Sequence, residues 1–177
     1  MITSKSVKPA LQQAYVKLMM DVIGRGLVMA SQVDEEIKQE VAKFPTGFVL
    51  SMNVFPDGPA FIARVSEQKQ LELLDTAQQK PDLTITFKHL SHAFLVFSFQ
   101  ESTALAFAHD RMIADGDLAH AIRLVRCLNK MEALILPKLV AELAVKQYPG
   151  DLSLKEKLTG AASIYLKVAQ SYLKRSA

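Results

Sequence analysis

The feature that most constrains the fold is a change of hydrophobic period near residue 45. Before it, apolar residues recur at helical spacing, whereas in 48–55 and 60–66 they alternate with polar ones. The sequence Pro-Asp-Gly-Pro at 56–59 separates these two segments and has the composition of a turn. The pattern therefore predicts an antiparallel hairpin. One of its faces would carry Phe48, Leu50, Met52, Val54, Phe61, Ala63 and Val65.

Three further strands are predicted after the hairpin. The clearest is 83–88, where Leu83, Ile85 and Phe87 alternate with polar residues. A weaker strand is predicted over 70–74, and another over 111–114, where Gly116 ends the pattern. The sequence thus predicts a small sheet of about five strands.

Helical patterns precede and follow these strands. Apolar spacing predicts helices over 10–30, 33–43, 118–136 and 152–175, with Gly24 and Gly26 weakening or ending the first one. Asp117 is placed to cap the helix that starts at residue 118. Residues 90–109 are apolar nearly all round, and such a helix is buried or faces a cavity.

The predicted fold class is α+β, with a small and mainly antiparallel sheet covered by helices, and with added C-terminal helices. We expect an N-terminal amphipathic helix over 1–32, a central domain over 33–147, and a C-terminal helical extension over 148–177 packed on the same domain. A chain of 177 residues is long enough for one domain with a sizeable core.

Composition excludes several protein classes. Half of the residues are hydrophobic and 22% are charged, which excludes intrinsic disorder. The single cysteine, Cys127, excludes an internal disulfide and a cysteine-based zinc cluster. The first dozen residues contain no apolar signal region, and no run approaches 18 apolar residues. We therefore expect a soluble, cytoplasmic protein.

Positive charge is concentrated in the C-terminal third. Residues 1–110 hold 10 Lys and Arg against 12 Asp and Glu, whereas residues 111–177 hold 11 against 6. This favours either an anionic partner or a solvated helix face. Basic clusters interleaved with aromatic residues are absent from the sequence, and so is tryptophan, so nucleic-acid binding has little support.

The polar residues give no catalytic or metal-binding signature. His89 and His92 lie three residues apart without a matching third ligand. A denser group is explained more simply by a strand–turn–helix junction with a capping Asp; its members are His109, Asp110, Asp115, Asp117 and His120. Cys127 lies between apolar helix positions, which favours an inert buried thiol. Phosphate-loop, dinucleotide and nucleophile-elbow motifs are absent from the sequence. We expect no catalytic residue, no metal and no cofactor.

Apolar residues are in surplus for one domain. Nine Phe and seven Met accompany the helix that lacks a polar face. Methionine-rich linings adapt to irregular ligands, and apolar pockets are the usual form of small-molecule sites. Composition alone leaves two interpretations open, a well-filled core and a hydrophobic cavity.

The order of several segments resembles that of the sterol carrier protein 2 (SCP-2-like) family. These segments are GFVLSMNV (47–54), FIARV (61–65), PDLTITF (81–87), an apolar helix pair, and RMIADGDLAHAIRL (111–124). The resemblance covers about residues 33–138. It implies a small, largely antiparallel sheet with helices on one face, enclosing an apolar tunnel for lipids.

A further segment, NKMEALILPKL (129–139), looks like the bacterial SCP-2-like accessory factors of ubiquinone biosynthesis. That likeness implies a polyprenyl-quinone intermediate as ligand. The chain departs from the animal carriers because it ends in KRSA without a peroxisomal Ser-Lys-Leu signal, and because it has an additional C-terminal helical segment. Both differences favour a bacterial cytoplasmic protein.

The resemblance implies non-catalytic binding or carriage of a fatty acyl, phospholipid, sterol-like or polyprenyl-quinone lipid. Candidate tunnel residues are inferred here from the direction in which side chains face. They are Phe48, Leu50, Met52, Leu83, Ile85, Phe87, Phe94, Phe97, Phe107, Ile122, Val125 and Leu128. One alternative is a protein-interaction module that scaffolds a lipid- or ubiquinone-modifying complex. A weaker one is an enzyme that acts on an acyl substrate through His109, Asp115 and Asp117.

The segment 151–177 combines an apolar stripe with five basic residues. It either docks on its own domain or also serves as a lid and a transient contact with anionic membranes. Slower lipid transfer to anionic vesicles after removal of 151–177 would support the second interpretation, and unchanged transfer would support the first. The sequence leaves the oligomeric state open.

Overall fold

A computed structural model describes residues 9–75, 80–98 and 100–135. The helices are α1 (Pro9–Val33), α2 (Glu35–Ala42), α3 (Leu90–Phe97), α4 (Thr103–Ala108) and α5 (Leu118–Ile135). The strands are β1 (Val49–Val54), β2 (Ala60–Val65), β3 (Leu71–Leu74), β4 (Leu83–Phe87) and β5 (Met112–Asp115). The helical predictions beyond residue 135, including the basic segment 151–177, lie outside the described residues.

The five strands form one sheet in the order β3-β2-β1-β4-β5. Three neighbouring pairs are antiparallel, whereas β1 and β4 run parallel, with Leu50 opposite Leu83 and Met52 opposite Ile85. A parallel pair needs a crossover connection, and β3 lies within that connection. The α+β prediction is confirmed, with a sheet that is mostly antiparallel.

Strand alternation determines which side of the sheet faces the helices. Leu50 and Met52 of β1, Ala63 of β2 and Ile85 of β4 are all buried in the core. On the opposite face, Arg64 is exposed, and Thr84 and Thr86 are half-buried. The apolar faces predicted for the hairpin and for β4 are therefore observed, and the helices supply the other half of the core.

Helix α1 packs into the same core as the sheet. Its residues Val16, Met20, Ile23 and Leu27 are all buried there. The division of the chain at residues 32 and 33 remains a prediction from the sequence. In the structure, α1 contacts β2, β3, α2, α3 and α5, so it forms the centre of the helical layer.

Two details differ from the sequence-based expectation. Helix α1 continues through Gly24 and Gly26 instead of ending there, and Gly24 lies so close to the Phe61 ring that an added Cβ would stand 3.0 Å from its Cγ. Small residues at this position let α1 approach β2. The apolar stretch 90–109 forms two short helices, α3 and α4, instead of one. A new helix begins after Ser102 because its hydroxyl accepts a hydrogen bond from the Leu105 amide and caps α4.

Side-chain caps set the starts of two other helices. Asp34 accepts a hydrogen bond from the Ile37 amide at the start of α2. Asp117 accepts from the Ala119 and His120 amides at 2.7 and 3.2 Å, which confirms its predicted capping role at α5. Among the described helices, none combines the length and apolar character needed to cross a bilayer.

Candidate binding site between the helices and the sheet

A small apolar cavity lies between the sheet and the helical layer. Its volume is about 10 Å³, roughly the space that one water molecule needs. Its lining comes from strands β1, β4 and β5 and from helices α1, α3, α4 and α5. The lining residues are Ile23, Met52, Phe87, Val96, Phe97, Thr103, Met112, Leu128 and Glu132.

The lining of this central cavity combines a rigid side with an adaptable one. The rings of Phe87 and Phe97 pack edge to face with centroids 5.2 Å apart, an arrangement that aromatic pairs favour. Met52 and Met112 lie on the sheet side, and unbranched thioether side chains adjust readily to the shape of a neighbour. The two methionines are therefore the more adaptable part of the lining.

Glu132 is the one ionisable residue in this lining. It stands on α5 one turn after Leu128, and its carboxyl makes no hydrogen bond or ion pair with any residue of the described ranges. Burial raises the pKa of Glu132 to about 7, because an apolar surrounding disfavours the charged form. The cavity lining thus contains a single carboxyl group, whose protonation state changes near neutral pH.

A larger cleft opens on the outer side of α3. It measures about 340 Å³ and is lined by Leu11, Tyr15, Phe94 and Ser98. The Tyr15 hydroxyl donates a hydrogen bond of 2.8 Å to the Phe97 carbonyl, and its ring packs edge to face on Phe94. We call it the α1–α3 cleft. Helix α3 therefore contributes side chains both to this cleft and to the central cavity.

A second cleft lies between α1 and the β2–β3 edge of the sheet, and we call it the α1–β2 cleft. It measures about 590 Å³, within the usual range for ligand pockets. Leu18 and Leu73 line it and are 57% and 39% exposed, respectively. Lys17 and Asp21 also line it, so its surface is more mixed than that of the α1–α3 cleft.

The predicted tunnel residues fall into three groups in the structure. Met52, Phe87, Phe97 and Leu128 line the central cavity, and Phe94 lines the α1–α3 cleft. Val125 is half-buried on α5 and lines neither space. Most of the others belong to the packed core or lie against it; they are Phe48, Leu50, Leu83, Ile85 and Phe107. Ile122 is 46% exposed and lines neither space.

Sequence reasoning missed five of the lining residues. Ile23 lies in a helix that the sequence places outside the central domain, and Val96 and Met112 stand among neighbours that are equally apolar. Thr103 and Glu132 are polar, and a pattern of apolar side chains does not predict them. A signal for Glu132 does exist in the sequence, since it stands four residues after Leu128 on the buried side of an amphipathic helix.

The polar group around the β5–α5 junction does not converge on one point. His109 pairs with Glu101, Asp110 with Lys88, and Asp115 with Lys80. Asp117 caps α5, and the His120 ring stacks against Phe44 with centroids 5.1 Å apart. Asp117 and His120 also approach each other, with the His120 Nδ1 atom 3.9 Å from the Asp117 carboxylate, whereas His109, Asp110 and Asp115 each pair with a residue outside the group.

Two further candidate groups are also placed by the structure. The rings of His89 and His92 lie 5.1 Å apart, and the described residues contain no cluster of three potential metal ligands. Cys127 is buried, and burial followed by the nearby Glu40 carboxylate raises the pKa of its thiol to about 12. Such a thiol stays protonated and unreactive at neutral pH.

No protein-family profile and no curated protein matches the sequence. Among solved structures, the chain is similar to one described as a UbiJ-SCP2 ubiquinone synthesis protein, with 16% identity, a TM-score of 0.44, and coverage of 69% of this chain and 96% of that one. It is also similar to sterol carrier protein 2 from Yarrowia lipolytica in its apo form, with 16% identity, a TM-score of 0.43, and coverage of 64% and 89%.

A third similar structure is the sterol carrier protein domain 2 of Helicoverpa armigera, with 16% identity, a TM-score of 0.42, and coverage of 67% of this chain and 85% of that one. All three of these solved structures are described as SCP2 or sterol carrier protein domains.

Proposed function

We propose that this protein binds and carries a hydrophobic lipid, without catalysis, between its helical layer and its sheet. The observation that carries the proposal is the pairing of an apolar cavity with an apolar cleft on the two sides of α3. The segments that resemble the SCP-2-like family support the same function. Fatty acyl, phospholipid, sterol-like and polyprenyl-quinone lipids all fit the apolar character of these surfaces.

A cavity of about 10 Å³ is too small for a lipid chain, so uptake requires the cavity to enlarge. We propose that α3 moves relative to α1, because α3 lies between the cavity and the α1–α3 cleft. The hydrogen bond from Tyr15 to the Phe97 carbonyl and one aromatic contact resist this movement. Each of these is worth about 1 kcal/mol. Burial of a chain of about twelve CH₂ groups contributes roughly 10 kcal/mol before binding costs. Chain burial therefore exceeds the contribution of these two contacts.

The proposal is tested by narrowing the central cavity and measuring lipid uptake. Val96→Phe adds bulk to a lining residue on α3, and we expect uptake of a fluorescent long-chain lipid to fall about tenfold or more, because overpacking competes with the chain for the same space. Ile122→Phe is the control, since it introduces the same residue in place of another β-branched side chain at a position outside both spaces. Circular dichroism establishes that both variants remain folded.

Equal saturable uptake by Val96→Phe and Ile122→Phe would contradict a site at the central cavity. An absence of uptake by the native protein would contradict lipid binding altogether.

One observation favours a second candidate function, an interaction module in a lipid-modifying complex. Leu11 and Leu18 of α1 are 64% and 57% exposed, and with Leu73 they place apolar surface along both clefts. Exposed apolar surface of this kind is typical of protein contacts as well as of ligand grooves. Loss of partner binding in Leu18→Ser, with lipid uptake absent from the native protein, would favour this function over carriage.

Contact of the basic segment 151–177 with anionic membranes remains a prediction from the sequence. The identification of a polyprenyl quinone as the ligand is likewise a proposal, which rests on the segment 129–139.

A further inference from the structure

We propose that Glu132 selects the polar end of the bound lipid, favouring a neutral oxygen-bearing group such as a hydroxyl or carbonyl over a carboxylate or phosphate. This inference rests on the proposed lipid-binding function and specifies which lipids the site would accept. The geometry that carries it is the position of Glu132, half-buried on α5, in a cavity lining whose other polar group is the Thr103 hydroxyl.

Two basic residues of α5 are engaged with acids other than Glu132, and a third, Arg126, is exposed on the helix surface. The Lys130 ammonium lies 2.6 Å from the Glu36 carboxylate, and the Arg123 guanidinium lies 4.0 Å from Glu40. The cavity residues from α1, β1, β4, β5 and α3 are all apolar, and α4 adds only the Thr103 hydroxyl. Within the described part of the chain, nothing charged faces Glu132 across the cavity.

An unpaired polar group in an apolar surrounding is costly, and a hydrogen-bonding partner removes much of that cost. A ligand hydroxyl or carbonyl offers such a partner, because a protonated carboxyl donates and either form accepts. A carboxylate or phosphate would instead bring a second negative charge close to Glu132 in a medium of low dielectric constant. An ammonium group would need further hydrogen bonds to offset the loss of its own hydration, and the lining offers only Thr103.

The test is a competition between two probes that share a chain and differ in the polar group, 1-hexadecanol and palmitate at pH 7.4. The native protein is incubated with an equimolar mixture, and the bound lipids are extracted and quantified by mass spectrometry. We expect hexadecanol to be enriched about tenfold over palmitate in the native protein, as one selective polar contact would give. In Glu132→Leu, the ratio of bound hexadecanol to bound palmitate should fall, because the carboxyl that distinguishes the two polar groups is gone.

Two variants make the result specific to the cavity. Glu132→Gln keeps hydrogen bonding and removes the charge, so we expect it to retain hexadecanol and to bind more palmitate than the native protein. Glu67→Leu removes an exposed glutamate in the turn after β2 and should leave the native ratio unchanged.

The same ratio in the native protein and in Glu132→Leu would overturn the inference, as would a preference of the native protein for palmitate. Failure of the native protein to take up either probe would instead overturn the proposed function.

Discussion

Replacing Glu132 by glutamine should remove about 3 kcal/mol of pH dependence from the free energy of unfolding. The folded protein holds the pKa of this carboxyl at about 7, compared with its ordinary value of 4.5, and each pKa unit corresponds to about 1.4 kcal/mol. Because the unfolded chain releases the proton at lower pH than the folded protein, the native stability should fall as pH rises from 4.5 to about 7. Above pH 7 the difference should be complete.

Urea unfolding of the native protein and of Glu132→Gln at pH 5, 6, 7 and 8 checks this expectation, with Glu67→Gln as the control at an exposed position. His92 acts in the opposite direction. Burial, followed by the nearby His89, Arg111 and Lys88, lowers its pKa, so its contribution is lost as pH falls. That effect is common to all three proteins and cancels in the comparison. Parallel pH profiles for native protein and Glu132→Gln would show that this carboxyl is solvated.

Gly116→Ala should lower the free energy of unfolding by about 3 kcal/mol or more. Gly116 has φ +142°, a conformation that residues with a Cβ rarely adopt, and an added Cβ would lie 2.7 Å from the Asp82 carbonyl oxygen. The Asp82 carboxylate accepts a hydrogen bond of 2.8 Å from the Val49 amide, so a displaced Asp82 would disturb the junction of β1 and β4.

Gly47→Ala serves as the comparison, because it carries the free-energy cost of a positive φ without a steric clash of the added Cβ. Gly47 has φ +82°, and an added Cβ there would meet nothing within 4 Å. We expect this variant to lose only about 1 kcal/mol. Equal losses in the two variants, measured by urea unfolding, would contradict the close approach between Gly116 and Asp82.

The sequence predicts which side of each strand is buried better than it predicts the order of the strands in the sheet. Alternation in 48–55 and 83–88 identifies the buried side because a side-chain period of two follows from strand geometry alone. It carries no information on which strand lies beside which. The parallel pairing of β1 with β4 depends on the connection through β2 and β3, and that path is a tertiary property.

The same limit applies to the candidate site. The direction of side chains identifies Met52 and Phe87 as facing the helices, and both line the cavity. To predict that Ile23 and Glu132 line the cavity, one must know where α1 and α5 lie over the sheet. Helical periodicity does not give that information. The two clefts lie along α1, which the sequence-based division of the chain had placed outside the central domain.

The space between the helices and the sheet should take up a lipid chain. Native mass spectrometry of protein purified from cells, followed by denaturation and lipid extraction, measures this uptake. We expect a folded species of increased mass that releases a long-chain lipid, and a smaller share of that species in Val96→Phe. A native protein that is found only at its sequence mass, and that acquires no long-chain lipid when one is supplied, would contradict lipid carriage.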